Sequence, residues 1–339
     1  MSIPTLEQRP THKLLPLLRS EVSRITHRRL VRVMALILLG GIVVISIFTF
    51  FMHSKQLASA QEQLESNRAE QQRYWLECAD SAPDPDLAEK FCGREPATQP
   101  LERFDWGQDD RYKAYEVLPI ALIGAAIAAT GVAFLIGASS GGAEWSSRSM
   151  TLQLLFEPRR LRLLTIKWLG VVLSTTVLAA VAMVVAVGFG ALTAQLRGTW
   201  DGQFAPVDEL RDNLGQTMML MGLRGLVLVA AGATIGYAIA MLVRNTGASL
   251  GVAFVYFVVL ENGIRFALMR YGSEPYMLST NAVAFLFPGG LEVPGEEAGP
   301  YAESTSVDLT NLRSFVTLSA YTALLSLPAA WSFSRRDVG

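Results

Sequence analysis

Charge is what this chain of 339 residues has least of: Asp, Glu, Lys and Arg fill 17% of positions, against roughly 25% in an ordinary globular domain. Histidine stands only at His12, His27 and His53, and none belongs to an H-E-x-x-H pair, which excludes an intramembrane metalloprotease of that type. The five lysines, Lys13, Lys55, Lys90, Lys113 and Lys167, all lack the preceding glycine of a phosphate-cradling loop. The chain is therefore no P-loop ATPase by itself. Two cysteines are too few for an iron–sulfur cluster or a zinc finger. A formal charge of −1 supplies no basic field for nucleic acid.

What is present is apolar. Hydrophobic residues make up 51% of the chain and gather in long uncharged runs. About 20 such residues in a helix cross the hydrocarbon of a bilayer. Six stretches qualify, at 33–52, 117–139, 168–196, 216–243, 248–269 and 314–334. The expected fold is an all-α integral membrane protein of six spans. Four spans hold no ionised side chain; the fourth holds Arg224, and the fifth holds Glu261 and Arg265. The first begins too far in and runs too long for a cleaved signal peptide, so it is read as retained.

Orientation follows from Arg and Lys near the span ends. Residues 1–32 carry Arg9, Lys13, Arg19, Arg24, Arg28, Arg29 and Arg32. The 140–167 connection carries Arg148, Arg159, Arg160, Arg162 and Lys167, the short fourth connection Arg244, and the C-terminus Arg335 and Arg336. The remaining connections are acidic, and the fifth has no Lys or Arg between Tyr271 and Leu312. Both termini are expected in the cytoplasm. Leucines mixed with cations over 14–32 suit an amphipathic helix lying in the cytoplasmic interface.

The outer loop, 53–116, opens with a Gln-, Glu- and Ala-rich stretch expected to extend the first helix outward as far as Cys78. Pro83, Pro85, Pro96 and Pro100 then interrupt regular structure. Cys78 and Cys92 both fall on this oxidising side, where a disulfide closing the loop is expected. Trp106, Trp200 and Tyr276 stand near outer boundaries, as an aromatic belt would. Glycines at 124, 131 and 137 recur on span two at a spacing that permits close helix contact.

Inside the bilayer, Glu261 and Arg265 are four residues apart with the acid first, the favourable order for a helix pair. Arg224 could reach the same level, and Asn262 is a further partner across the interface. These four line a translocation path or form a structural network; both readings fit the residues. Between spans two and three, a short leucine-rich stretch (Met150, Leu152, Leu154, Leu155, Phe156) ends at Pro158 and is followed by a basic helix. It suits either a partner's groove or the membrane surface.

The run Glu144-Trp145-Ser146-Ser147-Arg148-Ser149-Met150-Thr151, followed by Glu157-Pro158-Arg159-Arg160, resembles a signature of type-2 ABC exporter permeases. It departs from the usual pattern in having Arg148 and Ser149 where Gly-Thr is common. Phe333-Ser334-Arg335-Arg336-Asp337-Val338 is similar to that family's ending, and the layout of elbow helix, six spans and outer loop agrees along nearly the whole chain. The resemblance implies the membrane half of an ATP-driven exporter, itself not an enzyme, in the plasma membrane. It would pair with a second permease and with two ABC ATPase subunits that hold the ATP and Mg. It implies coupling to the ATPase through Glu144, Trp145, Ser149, Met150, Leu154, Phe156, Arg159 and Arg160. It also implies a re-entrant hairpin within the outer segment 270–313. An amphiphilic or apolar cargo suits spans so rich in Ala, Val, Leu and Gly. Two other readings remain: an ion-coupled carrier using Glu261, and a membrane sensor or scaffold.

Overall fold

The computed structural model describes residues 14–53, 57–81, 91–100, 111–146, 160–200, 202, 205–268, 271–295 and 306–335. Six of its helices are long and apolar enough to cross a membrane, and the chain is a multi-pass membrane protein. Helix α1 (Leu14–Thr26) precedes α2 (Arg29–Met52), the first span. Helix α3 (Leu57–Asp80) follows, then β1 (Tyr112–Lys113), α4 (Ala114–Ser146), α5 (Arg160–Arg197) and β2 (Gly198–Thr199). After the short α6 (Asp208–Asp212) come α7 (Leu214–Val243) and the fifth span. That span is built of three parts: α8 (Thr246–Phe254), a π-helical stretch (Val255–Glu261) and α9 (Asn262–Leu268). Helix α10 (Leu278–Leu286) and a hairpin of β3 (Leu291–Pro294) and β4 (Ser306–Leu309) lead into α11 (Asn311–Arg335), the sixth span.

The bundle is centred on α4 and α7, which share the most extensive contact, with α5 and α11 packed around them. Small residues allow that approach. A methyl at Gly236 would collide with the Phe134 carbonyl, and one at Gly137 with the Ala233 carbonyl. Such backbone-to-backbone contact is how helices associate where lipid removes the hydrophobic drive between them. Of the three glycines expected to do this, only Gly137 does; Gly124 and Gly131 face open space.

Spans one and five are the least covered. Ile37, Val44, Phe48 and Phe51 on α2, and Phe254, Val258 and Phe266 along the fifth span, are exposed. Such faces are stable only against lipid or another protein surface.

The segment after α2 differs from expectation at one point. His53 takes an extended backbone and ends α2, so α3 is a separate helix and not a continuation. The Cys78–Cys92 disulfide is present. Around it, Gln72 grips the turn at Pro96–Thr98, donating to Glu95 Oε1 (2.8 Å) and accepting from the Ala97 amide (2.9 Å). Trp75 donates to the Gly93 carbonyl at 2.9 Å. Polar clasps and a covalent bond hold this cap where its own apolar core is slight.

Candidate functional site

The N-terminal helix and the last turns of α11 lie at one end of the bundle, called here the terminal end. Two polar clusters stand out, one at each end.

At the terminal end, Glu144 is nearly fully buried, 3% exposed, in the last turn of α4. Its Oε1 takes the Arg24 guanidinium from α1 and lies 3.5 Å from Arg28 Nη2. Its Oε2 lies 2.9 Å from Lys167 Nζ, from the second turn of α5. Arg24 also clasps Glu21 through Nε (3.0 Å) and Nη2 (2.8 Å). One carboxylate thus joins three segments far apart in sequence. Gly170 makes room for this: Glu21 Cβ lies 3.2 Å from where its own Cβ would be. Burial alone would lower the Arg24 guanidinium, but the Glu144 and Glu21 carboxylates outweigh it and raise it. Burial, with Arg24 beside it, lowers Arg28.

Trp145, next in sequence, faces a different neighbour. The Arg244 guanidinium lies 4.3 Å above its ring, its Nε1 donates to Met241 Sδ at 3.3 Å, and its edge meets Phe333. Arg244 ends α7 in the left-handed region, at φ 57°, a conformation costly for a residue with a Cβ. The stacking on Trp145 helps to offset that cost. Asn245 then caps α8 by accepting from the Ala248 amide at 3.1 Å. The tight turn between spans four and five is thereby seated on the end of span two.

At the opposite end, Glu261 closes the π-helical stretch and is 4% exposed. The expected Glu261–Arg265 ion pair is not what forms. Glu261 Oε1 instead accepts from the Ser279 amide at 2.7 Å, in the first turn of α10. A carboxylate there meets unpaired N–H groups and the positive end of the helix dipole, which is why it prefers α10 to its own helix neighbour. Arg265 Nε lies 2.9 Å from Glu274 Oε1, and Nη2 donates to Ser279 Oγ (2.9 Å) and Thr280 Oγ1 (3.1 Å). From the other side, Asn311 Nδ2 donates to the Ala284, Phe285 and Phe287 carbonyls. Spans five and six therefore hold both ends of α10.

The Asn262 Nδ2 donates to the Phe257 carbonyl at 2.6 Å, within its own span. The bond spans five residues, the same separation as the backbone pairing of a π-helix. Arg224 is joined to neither Glu261 nor Arg265 by a hydrogen bond or ion pair among the described residues.

Of the residues assigned to coupling, Ser149, Met150, Leu154, Phe156 and Arg159 lie outside the described residues. Arg160 opens α5. Sequence reasoning missed Lys167, Arg24 and Arg28 as partners of Glu144, having counted them only as topological charge. The string G-x-S-x-G does occur, at 137–141, but it lies within α4, with Gly137 and Gly141 packed on Ala233 and Tyr237. It lacks the strand-to-helix turn that makes such a serine a nucleophile. No metal-binding cluster of His, Cys, Asp or Glu occurs among the described residues.

No curated protein matches the chain. A family model described as ABC-2 family transporter protein matches residues 19–338.

Proposed function

The chain belongs to the ABC-2 transporter family, and from that premise we propose that it is the permease subunit of an ATP-driven exporter, coupled to a separate ATPase. The observation that carries the coupling is the Glu144 cluster. It ties α1, α4 and α5 together at the two edges of the 147–159 segment, where the resemblance puts the ATPase contact. A load applied to that segment enters three helices through one buried carboxylate. The same load reaches the turn between spans four and five through Trp145 and Arg244.

In this reading ATP and Mg are bound and consumed on the ATPase, in keeping with the missing phosphate loop. Two permeases stand over two ATPases, and the bare faces of spans one and five are available to the second permease. The Arg and Lys distribution supports a cytoplasmic terminal end and a disulfide on the outside. The membrane is the plasma membrane, and the cargo is amphiphilic or apolar. A stand-alone carrier using Glu261 has less support, because Glu261 Oε1 is engaged in holding α10.

The test is to co-express the tagged permease with the ATPase encoded beside it and purify through the permease tag. Equal amounts of both subunits, with ATPase activity in nanodiscs that falls in an Arg159→Ala, Arg160→Ala variant, are expected. A permease that purifies alone in mild detergent would overturn the reading.

A further inference from the structure

A cavity of about 880 Å³ opens between α4, α7, the first two parts of span five, α10 and α11. Ligand pockets run from about 300 to 1,000 Å³, so this one has room for a drug-sized molecule. No charged residue lines it. Phe134, Phe254, Tyr256, Phe257 and Tyr321 supply aromatic surface. Hydroxyls in the wall are mostly committed elsewhere. Tyr321 donates to the Tyr276 carbonyl, Thr130 and Thr322 donate to their own helices, and Ser279 Oγ receives Arg265.

Glu261 stands directly behind this wall. Its Oε1 holds Ser279, a wall residue, and it lies one helical turn from Phe257, another. Its Oε2 is buried and has no hydrogen-bond partner among the described residues. No ion pair among them neutralises it, since Arg265 is paired with Glu274. A carboxylate oxygen left without a partner in hydrocarbon surroundings is a costly arrangement, and a cationic donor relieves it. Aromatic faces beside it favour the same charge. An anionic or neutral polar ligand would find neither a free cation nor a ring of free donors.

We propose that the cavity receives a lipophilic cation, its apolar body against the aromatic wall and its ammonium group at the Ser279 side, where the Glu261 carboxylate behind the wall supplies the counter-charge. The proposal deepens the exporter reading, on which its role as a cargo site rests.

The experiment is equilibrium fluorescence titration of the purified permease in nanodiscs, with empty nanodiscs subtracted. The probes are dansylamino-dodecylamine and its N-acetyl derivative, which keeps the tail and loses the charge. The amine is expected to bind about tenfold more tightly than the acetylated form. Glu261→Gln, which keeps an acceptor for the Ser279 amide, is expected to abolish that preference and leave the acetylated form unchanged. Ala253→Trp, in the wall, is expected to weaken both. Equal affinities of the two probes for the wild type would overturn the proposal, and that comparison needs no variant to fold. So would a preference that survives Glu261→Gln, or binding that ignores Ala253→Trp. Co-purification with the ATPase is scored separately: its loss with amine selectivity intact sinks the exporter reading alone, and its retention without selectivity sinks the cation site alone.

Discussion

Replacing Glu144 by Gln removes one negative charge from a group that, among the described residues, holds three cations and two carboxylates, so that their summed charge rises from +1 to +2. The cost depends on how well each stranded cation can reach water. Arg24 has a side chain 36% exposed and Arg28 one 24% exposed, so solvent recovers part of their loss. Lys167 is 2% exposed and, among the described residues, has Glu21, at 3.9 Å, left as a counter-charge. Breaking a buried pair by removing one partner costs about 3–5 kcal/mol, and the accessible arginines put this site toward the lower figure. Lys167→Met in the same background removes the stranded cation. The double variant should therefore lose less than the sum of the singles, by about 1–3 kcal/mol. The assay is reversible unfolding in mixed micelles titrated with SDS, run on all four proteins of the cycle. A Glu144→Gln variant within about 1 kcal/mol of the wild type, or strict additivity in the cycle, would refute the reasoning.

Three further outcomes are expected. Cys78→Ser with Cys92→Ser opens a loop of sequence separation 14 and should destabilise the cap by about 3 kcal/mol, seen as faster proteolysis of α3 with the spans left intact. Asn311→Ala removes the side-chain donor shared by the Ala284, Phe285 and Phe287 carbonyls, of which Phe287 keeps the Gly290 amide; this should cost about 1–3 kcal/mol and raise hydrogen exchange in 278–287 above that in α7. Burial pushes the Tyr112 phenol up to about 12 from its ordinary 10, so the fold favours its neutral form. Its contribution is fully present below pH 10 and is lost as pH rises through 12; Tyr112→Phe should flatten the stability profile over that window.

Hydropathy reveals the spans because an unbroken apolar run of that length is seldom tolerated anywhere but in lipid. The disulfide was legible for a similar reason: two cysteines fell in one loop on the side where oxidation is expected. Partner choice was not. Glu144 and Arg24 are 120 positions apart, and nothing in local periodicity separates the buried Lys167 from the arginines near it in sequence. The Glu261–Arg265 spacing suggested a pair within one helix, since residues four apart share a face. The carboxylate and the guanidinium instead turn together toward α10, an apolar segment too short to span, whose partners hydropathy does not indicate. The bond from Asn262 to the Phe257 carbonyl was not legible, because a π-helical register cannot be read from composition and that partner lies five residues back.

At Gly137 and Gly236 the contact between α4 and α7 is made by backbone carbonyls meeting glycines, so at those two points no side chain can be introduced without moving the helices apart. Spans one and five hang on that frame with long bare faces. Fluorophores placed on spans two and four are therefore expected to keep one separation if the chain works as the proposed exporter, an internal ruler. Any movement of span five in that cycle would be read against it as a distance within a single subunit.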